Sequence, residues 1–244
     1  MYSVYSPSTI EDSLLRWQQV CRWAQENDRY QQYQKDAVVS CENGWIYFVQ
    51  RGVVRLHGHK SNDSWPNLSK SSTATAVGVI SSPREPTPSL LSLVGAGQPF
   101  ELGQNPQIQI QAIAHTRNTA VLCVHARELS LVSGFEMDTL QAFRYQHQRQ
   151  MLQINNLTQG RTIDQLLGYL HLLAEEFGEE DKAGLRLPFT LTHFQLAEAI
   201  GSTRVTITKM LGELRKYGAI KMSSGNKISL PLRKNPPLHL HLIE

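Results

Sequence analysis

The segment 191–214 reads LTHFQLAEAIGSTRVTITKMLGEL. Its second half predicts a helix with an apolar face and a polar face. Four apolar residues recur at spacings of three and four and form one stripe that packs inward: Ile207, Met210, Leu211 and Leu214. The opposite face carries Arg204, Val205, Thr208 and Lys209. An arginine can donate two hydrogen bonds to guanine O6 and N7, a valine can contact a thymine methyl group, and a lysine can contact guanine or a phosphate. These side chains predict a helix that contacts bases in the major groove of DNA.

A shorter helix and a tight turn must position that helix. Thr192 and Gln195 form a T-x-x-Q capping box with leucines on either side as the hydrophobic staple, so a helix is predicted over 193–200. The Gly-Ser-Thr sequence at 201–203 then supplies a turn, because glycine accepts backbone angles that other residues resist and the hydroxyls can cap the next helix. Together these signals predict a helix-turn-helix.

The residues after this unit predict a β-hairpin with basic side chains. The segment 220–230, IKMSSGNKISL, has two short alternating runs around Ser-Gly-Asn, and Lys221 and Lys227 could hold DNA phosphates. Residues 186–234 contain nine basic and two acidic residues, a balance of +7, whereas the whole chain has a net charge of +3. The candidate DNA-contacting residues are Thr192, Ser202, Thr203, Arg204, Val205, Thr208, Lys209, Lys221 and Lys227.

Length and composition are those of an ordinary globular protein. A chain of 244 residues can form one large domain or two modest ones. No run approaches the about 18 apolar residues of a membrane span, and the first residues do not form a secretory signal. Cys21, Cys41 and Cys123 are scattered and have no metal-ligand spacing. We therefore expect structural thiols in a reduced, cytoplasmic setting, with no membrane partner.

The first half of the chain predicts a helix followed by a sheet structure. An S-x-x-E capping box at Ser8 begins a helix whose apolar residues recur at helical spacing. Residues 44–56, GWIYFVQRGVVRL, form two β-rich runs broken at Arg-Gly, and 90–103 and 108–124 continue as strands. Residues 61–89 are rich in Ser, Thr and Pro, which predicts a long loop or hairpin extension. The strands favour a sandwich or barrel.

A long helix is predicted over 135–161, where the first glycine is Gly160 and proline is absent. Alternating steps of three and four describe a coiled-coil seam, along which the chain should dimerise: Leu140, Phe143, His147, Gln150, Ile154 and Leu157. The polar residues in mid-seam could fix the register, meet a ligand, or be a polar break in an ordinary core helix. A second helix is predicted over 162–177, and the acidic residues 179–181 are predicted to form a solvated turn.

A β domain, a long dimer helix and a winged helix-turn-helix, in that order, resemble the transcription regulators of the CRP/FNR family. The segment 197–215, AEAIGSTRVTITKMLGELR, is most similar to the recognition helix of the cyanobacterial nitrogen regulators of the NtcA type. The β part, through WIYFVQRGVVRL and LVGAGQPFELG, resembles the family only in architecture. The resemblance implies an α+β fold with an N-terminal β-roll (a double-stranded β-helix, cNMP-binding-like) over 1–134, a dimerisation helix over 135–161 and a winged helix-turn-helix DNA-binding domain over 162–244.

The same resemblance places Arg204, Val205 and Lys209 at the family's three base-reading positions. Many members have a glutamate where Val205 stands, and that glutamate accepts a hydrogen bond from cytosine. Because valine cannot make this contact, an A·T pair with its methyl group is the expected substitute. The resemblance therefore implies a two-fold dimer on a palindrome of GTA and TAC half-sites. It also implies double-stranded DNA as partner, RNA polymerase as a further partner if the protein activates, and no catalytic residues.

The effector region departs from the family pattern. Cyclic-nucleotide-binding members carry an arginine shortly after a Gly-Glu pair, but here Glu101 is followed by a segment, 105–109, that has no cation. A buried phosphate without a cation is costly, so no cyclic-nucleotide response is expected. Ile108 and Gln141 stand where arginines would hold 2-oxoglutarate, and no cysteine cluster could hold an iron–sulfur centre. No cofactor is expected, and a neutral or apolar effector, a partner protein, or no ligand all stay open.

An alternative from another class is a cupin-like metal enzyme. His57-Gly58-His59 is an H-x-H sequence whose imidazoles would lie on one face of a strand, as in three-His and His-carboxylate metal sites. Such a site needs further ligands, yet the next glutamate is Glu85, and the residues around His115 do not complete the pattern. Two exposed histidines are the simpler interpretation.

Overall fold

The computed structural model describes residues 7–60, 89–103, 108–181, 184–223 and 225–231. The chain forms two compact units, Met1–Gln148 and Arg149–Glu244, and the boundary between them lies within the longest helix. Among the described residues, no helix is both long and apolar enough to cross a membrane. The predicted loop over 61–89 lies outside the described residues except for its last residue. The predicted domain limits of 1–134, 135–161 and 162–244 stay a prediction.

The N-terminal unit consists of a helix followed by antiparallel strands. In chain order its elements are α1 (Pro7–Glu26), β1 (Tyr30–Tyr33), β2 (Trp45–Arg51), β3 (Val53–Lys60), β4 (Ser89–Gly95), β5 (Pro99–Phe100), β6 (Ile108–Ala114) and β7 (Thr119–His125). A 3₁₀ helix, Ala126–Leu131, leads to α2 (Phe135–Leu157). The strands form two sheets with the orders β1-β7-β2-β5 and β4-β3-β6. The predicted two-sheet structure is confirmed.

An apolar layer between the two sheets forms the core that we call the roll lumen. Its buried residues come from both sheets and from the segment before β2: Val39, Tyr47, Val49, Val54, Val94, Phe100, Ala112 and Val121. The opposite face of the first sheet packs against both helices through a second buried cluster: Val20, Ala24, Ile46, Phe48, Leu122, Val124 and Phe135. Alternate residues of β2 therefore face the lumen and the helices, as the period of two in a strand requires.

The turn between β2 and β3 depends on a glycine. Gly52 has a φ of +84°, and a Cβ atom at this position would lie 2.5 Å from Oγ1 of Thr116 and 2.8 Å from Oγ1 of Thr119. Both the backbone angle and the space therefore exclude a larger residue. The break predicted at Arg51-Gly52 is confirmed.

The C-terminal unit combines three helices with a small sheet. Its elements are α3 (Thr162–Phe177), β8 (Glu179–Asp181), β9 (Gly184–Arg186), α4 (His193–Ile200), α5 (Arg204–Lys216), β10 (Lys221–Met222) and β11 (Ile228–Leu230). The four strands are ordered β10-β11-β9-β8. Helix α2 ends at Leu157 instead of continuing to residue 161, because the backbone turns at Thr158 and Gln159, whose N–H groups donate to carbonyls three residues earlier.

The prediction of a solvated turn over residues 179–181 is wrong. These residues form β8, which pairs antiparallel with β9 in the register Glu179 to Arg186 and Asp181 to Gly184. The three acidic side chains remain exposed, because β8 is the edge strand of a thin sheet. Charges at a sheet edge discourage further strand pairing, so an acidic run is compatible with a strand there.

Strand β3 carries two polar side chains that are buried on the face opposite the lumen. Arg55 is 9% exposed and its Nη1 donates a hydrogen bond to Oδ1 of Asp36 at 2.8 Å. His57 lies two residues further along the same face and is 7% exposed. Burial, followed by the charges of Arg55 and His59, lowers the pKa of His57 to about 4. The imidazole is therefore neutral in the folded protein at neutral pH.

Acidification should destabilise the folded protein through His57. In the unfolded chain this imidazole takes a proton near pH 6.5, whereas in the folded chain it stays neutral down to about pH 4. The stability tied to the neutral imidazole is present above pH 6.5 and is lost as the pH falls through that window. The free energy of unfolding can be measured by urea titration at pH 7 and at pH 5. Between these pH values the wild-type protein should lose more of it than His57→Gln, by up to about 1.4 kcal/mol per pH unit. Equal losses would show that the folded imidazole titrates normally.

Candidate nucleic-acid interface

Helix α4 begins with the predicted capping box. Oγ1 of Thr192 accepts a hydrogen bond from the backbone N–H of Gln195 at 3.1 Å, and Oε1 of Gln195 accepts from the backbone N–H of Thr192 at 3.0 Å. The helix ends at Gly201, whose φ of +66° is left-handed. Glycine takes this conformation at little cost, which permits the sharp turn toward the next helix. The predicted helix over 193–200 and its turn are confirmed.

Helix α5 is capped and buried on one side. Oγ1 of Thr203 accepts from the backbone N–H of Thr206 at 3.2 Å and so caps the helix. Ile207, Leu211 and Leu214 are buried, and Met210 is half-buried. The predicted inward stripe is therefore confirmed, and it fixes which side chains of α5 face solvent.

The outward face of α5 carries the predicted base-contacting side chains. Arg204 is exposed, Val205 is 79% exposed, and the side chain of Lys209 is 80% exposed. Nζ of Lys209 lies 4.0 Å from Oε1 of Glu213, an exposed ion pair that adds little stability and leaves the ammonium accessible. A largely solvated valine beside two cations contributes nothing to the protein core, so its surface is available to a partner.

Thr208 is held in a hydrogen-bond network that the sequence did not predict. Its hydroxyl donates to the carbonyl oxygen of Arg204 at 2.9 Å and lies 2.8 Å from Nδ1 of His193. Because a hydroxyl has one proton and a carbonyl can only accept, the arrangement that satisfies both contacts has His193 donating to Thr208. This contact joins α4 to α5, so Thr208 ties the two helices together as well as lying on the outer face. The two partners are 15 positions apart in the chain, a separation that no local sequence pattern links.

The predicted hairpin is present after α5. Strands β10 and β11 pair antiparallel in the register Lys221 to Ser229, and the turn between them contains Gly225 and Asn226, both with positive φ. The side chain of Lys221 is exposed and Lys227 is half-buried. The small sheet thus presents one exposed and one partly packed lysine.

Basic side chains of this unit differ in how accessible they are. Arg215 and Lys216 are exposed in the last turn of α5, where cations interact favourably with the helix dipole. Arg186 is half-buried, and its Nη2 lies 3.4 Å from Oε2 of Glu179. The last two basic residues in the predicted charge balance, Arg233 and Lys234, lie outside the described residues.

The predicted dimer seam on α2 is exposed at five of its six positions. The exposed side chains are those of Leu140, His147, Gln150, Ile154 and Leu157. Exposed apolar residues along one helix would need a partner to be covered.

Phe143 is the position of the predicted seam that is not exposed. It is half-buried and packs against the apolar cluster between the first sheet and the helices of its own unit. An α-helix turns about 100° per residue, which places Met137, Leu140, Arg144 and His147 along one stripe, with Phe143 beside it on the side toward the core. All four side chains of the stripe are exposed. Phe143 therefore lies at the border between the exposed stripe and the buried face, and its place in the seam stays a prediction.

The candidate metal-binding and effector residues of the N-terminal unit do not assemble a metal centre. His57 and His59 share one face of β3, but no group of three or more His, Cys, Asp or Glu side chains could hold a metal ion in the part of the chain that the structure describes. In the effector region, Glu101 is exposed, Ile108 and Gln141 are half-buried, and Phe100 stacks on Tyr47 inside the lumen at 5.4 Å. Residues 104–107 lie outside the described residues.

Residues 164–234 match the family model of the Crp-like helix-turn-helix domain. This match identifies the C-terminal part of the chain as a Crp-like helix-turn-helix domain. Over 69 residues the chain is 42% identical to the global nitrogen regulator of Synechocystis sp., and over 106 residues it is 33% identical to the regulatory protein CysR of Synechococcus elongatus. The matches cover 28% and 40% of this chain and 27% and 49% of those proteins, so the chain matches less than half the length of each relative.

Two solved structures share the fold over most of the chain. A CRP-family transcriptional regulator from Thermus thermophilus has a TM-score of 0.58 and 19% identity, with 82% of this chain and 91% of that one covered. A cyclic nucleotide-binding domain containing protein from Listeria monocytogenes has a TM-score of 0.61 and 14% identity, with 88% and 97% covered. The predicted α+β fold with a cNMP-binding-like β domain, a long helix and a C-terminal helix-turn-helix is thus confirmed.

Proposed function

We propose that the chain is a transcription regulator that binds double-stranded DNA as a homodimer. The exposed row of Arg204, Val205 and Lys209 on a helix-turn-helix of the Crp-like family is the observation that carries this function. The inward packing of α5 leaves these three side chains with no role in the core, and their chemistry matches guanine, the thymine methyl group and phosphate. Proteins of this type are regulators and not enzymes.

Half-sites of the sequence GTA and TAC are what the resemblance to regulators of the NtcA type implies, and the side chains on this face could contact them. The guanidinium of Arg204 would donate to O6 and N7 of the guanine, and Val205 would lie against the methyl group of the neighbouring thymine. The similarity to a global nitrogen regulator, with 42% identity over 69 residues, supports these assigned base contacts. Lys209 would contact a guanine or the adjacent phosphate.

Phosphate contacts would come from the helix starts and the hairpin. The hydroxyls of Thr192, Ser202 and Thr203 lie at the N-terminal ends of α4 and α5, where the helix dipole favours an anion. Lys221 and Lys227 of the hairpin would contact further phosphates of the DNA backbone. These contacts fix the position of the protein on the duplex and carry no sequence information.

The two copies would meet along the exposed face of α2. We assign the seam to residues with alternating spacings of three and four that the structure leaves exposed: Met137, Leu140, Arg144, His147, Met151 and Ile154. This set keeps Leu140, His147 and Ile154 from the sequence-based seam. A palindromic site requires such a two-fold dimer, because each half-site is contacted by one recognition helix.

Regulation in this proposal does not use a cyclic nucleotide, 2-oxoglutarate or an iron–sulfur cluster. The lumen is filled by aromatic and aliphatic side chains, and the buried arginine of β3, Arg55, lies on the opposite face, where it pairs with Asp36. Arg55 would therefore not supply a counter-ion to the phosphate of a nucleotide in the lumen. The domain division of 1–134, 135–161 and 162–244, the cytoplasmic setting and contact with RNA polymerase during activation belong to the same proposal.

Arg204→Ala should separate base contact from phosphate contact. Loss of the bidentate contact to guanine should cost about 1–3 kcal/mol of binding free energy and relax the preference at one base position. Lys227→Ala should weaken binding to all sequences nearly equally and lower the slope of log affinity against log salt by about 1. Binding-site selection with a random DNA library, followed by anisotropy titrations at several salt concentrations, measures both effects. An identical loss for both variants on every sequence would contradict the assigned roles.

Val205→Glu should change the preferred base pair next to the guanine. A glutamate accepts a hydrogen bond from the cytosine amino group, so preference should move from an A·T pair toward a pair that presents cytosine to α5. Val205→Ala, which keeps an apolar but smaller side chain, is the matched control and should retain the original preference with lower affinity. Selection profiles that are the same for Val205→Glu and the wild-type protein would refute the contact.

Charge placed in the proposed seam should produce monomers. Ile154 is 55% exposed, and a glutamate at this position would face its own copy across the two-fold axis, where like charges repel. Sedimentation velocity should show a dimer for the wild-type protein and a monomer for Ile154→Glu. Leu131→Glu changes another residue with similar exposure, 61%, outside α2, and should remain dimeric. A dimeric Ile154→Glu protein would place the interface elsewhere.

A further inference from the structure

An apolar pocket lies on the outer side of the first sheet, separate from the roll lumen. Helix α1, the turn between β4 and β5, and the first turns of α2 surround it, and its volume is about 580 Å³. Pockets that bind small molecules in proteins commonly measure about 300–1,000 Å³. All of the lining residues belong to the N-terminal unit. The pocket is therefore a feature of one compact unit.

Three aromatic side chains form the floor of this pocket. The ring centroids of Trp17 and Phe48 lie 5.9 Å apart, those of Phe48 and Phe135 lie 5.2 Å apart, and those of Trp17 and Phe135 lie 6.5 Å apart. Leu14 lines the pocket from α1 and is 56% exposed, although its helical spacing predicted a packed residue. Apolar surface is thus left open to solvent in a concave site.

The polar groups around the pocket carry no unbalanced charge. The carboxylate of Asp138 accepts two hydrogen bonds from the guanidinium of Arg16, from Nε at 2.7 Å and from Nη2 at 3.0 Å. The hydroxyl of Thr139 donates to the carbonyl oxygen of Phe135 at 2.8 Å. The other polar lining groups include the amides of Gln50 and Gln141, which are neutral. A charged ligand would therefore lose its hydration without gaining a counter-ion.

The pocket and the proposed dimer seam lie on opposite faces of α2. The helix contributes five residues to the pocket; Phe135, Asp138, Thr139 and Ala142 lie at spacings of three and four, and Gln141 lies at the edge nearer the seam. Met137, Leu140 and Arg144 of the seam are rotated from this set by close to half a turn, since each residue advances about 100°. A second copy that covers the seam would leave the pocket open. Its occupant is therefore something other than the dimer partner.

We propose that this pocket binds a small, neutral ligand with a flat aromatic body and one or two neutral hydrogen-bonding groups. The aromatic floor offers ring faces and edges against which a planar ligand can stack, and the amide of Gln50 can orient its polar groups. Phosphorylated compounds and carboxylates are excluded, because Arg16 is already paired with Asp138. The site goes beyond the proposed DNA binding, since it concerns a different ligand and does not require DNA.

A neutral fluorescent probe can test the pocket in the full-length protein. N-phenyl-1-naphthylamine has the predicted chemistry and fluoresces strongly only in apolar surroundings. It should bind the wild-type protein saturably with one site per chain. Ala142→Leu places a larger side chain in the pocket and should weaken this binding at least tenfold. Ala126→Leu makes the same change at an exposed residue outside the pocket and should bind the probe like the wild-type protein.

Four outcomes would overturn the proposal. Binding that does not saturate, binding that Ala142→Leu leaves unchanged, or equal weakening in both leucine variants would each show that the probe does not occupy this pocket. Ala96→Trp blocks the exposed rim at the β4–β5 turn and provides a second obstructing variant if Ala142→Leu does not fold. A change from dimer to monomer in Ala142→Leu during sedimentation would show that the pocket is an interface between copies. Because the titration contains no DNA, its result is independent of the proposed DNA binding.

Discussion

The burial of Ile207, Leu211 and Leu214 is the constraint on which the candidate interface depends. An α-helix that buries three residues at this spacing presents its opposite face to solvent, and Val205 and Lys209 lie on that face of α5, while Arg204 is exposed at the first position of the helix. The helix caps and the turn at Gly201 are needed because they place α5 against α4 in the orientation that keeps this face exposed. A slip of one residue in the stripe would turn the guanidinium by about 100° and remove the surface that could meet a base pair.

Helix α2 has a comparable division of roles between its two faces. One face carries Phe135 into the core of the N-terminal unit, and the other leaves Met137 and Leu140 exposed. The helix crosses the boundary between the two compact units at residues 148 and 149. The same continuous element therefore carries the wall of the aromatic pocket in its first turns and the proposed self-association surface along most of its length.

Local sequence signals predicted the parts of the fold that are determined locally. The capping box at Thr192, the apolar stripe of α5 and the glycine break between β2 and β3 each depend on residues within a few positions of one another, and each is confirmed. Contacts between distant residues could not be predicted in this way. The pairing of β8 with β9 replaces a turn that the acidic residues favoured, and the contact of His193 with Thr208 has no periodic signature.

The exposed valine on α5 has a consequence for how recognition would respond to ionic strength. Contacts between lysine or arginine and phosphate weaken as salt is added, because they depend on the release of counter-ions from DNA. Burial of an apolar side chain against a methyl group involves no ion release and is nearly insensitive to moderate salt. With Val205 79% exposed, the discrimination that it supplies would persist while overall affinity declines. In the proposed DNA-binding role, a rise in salt would then reduce unspecific occupancy of the duplex faster than it blurs the choice between neighbouring base sequences.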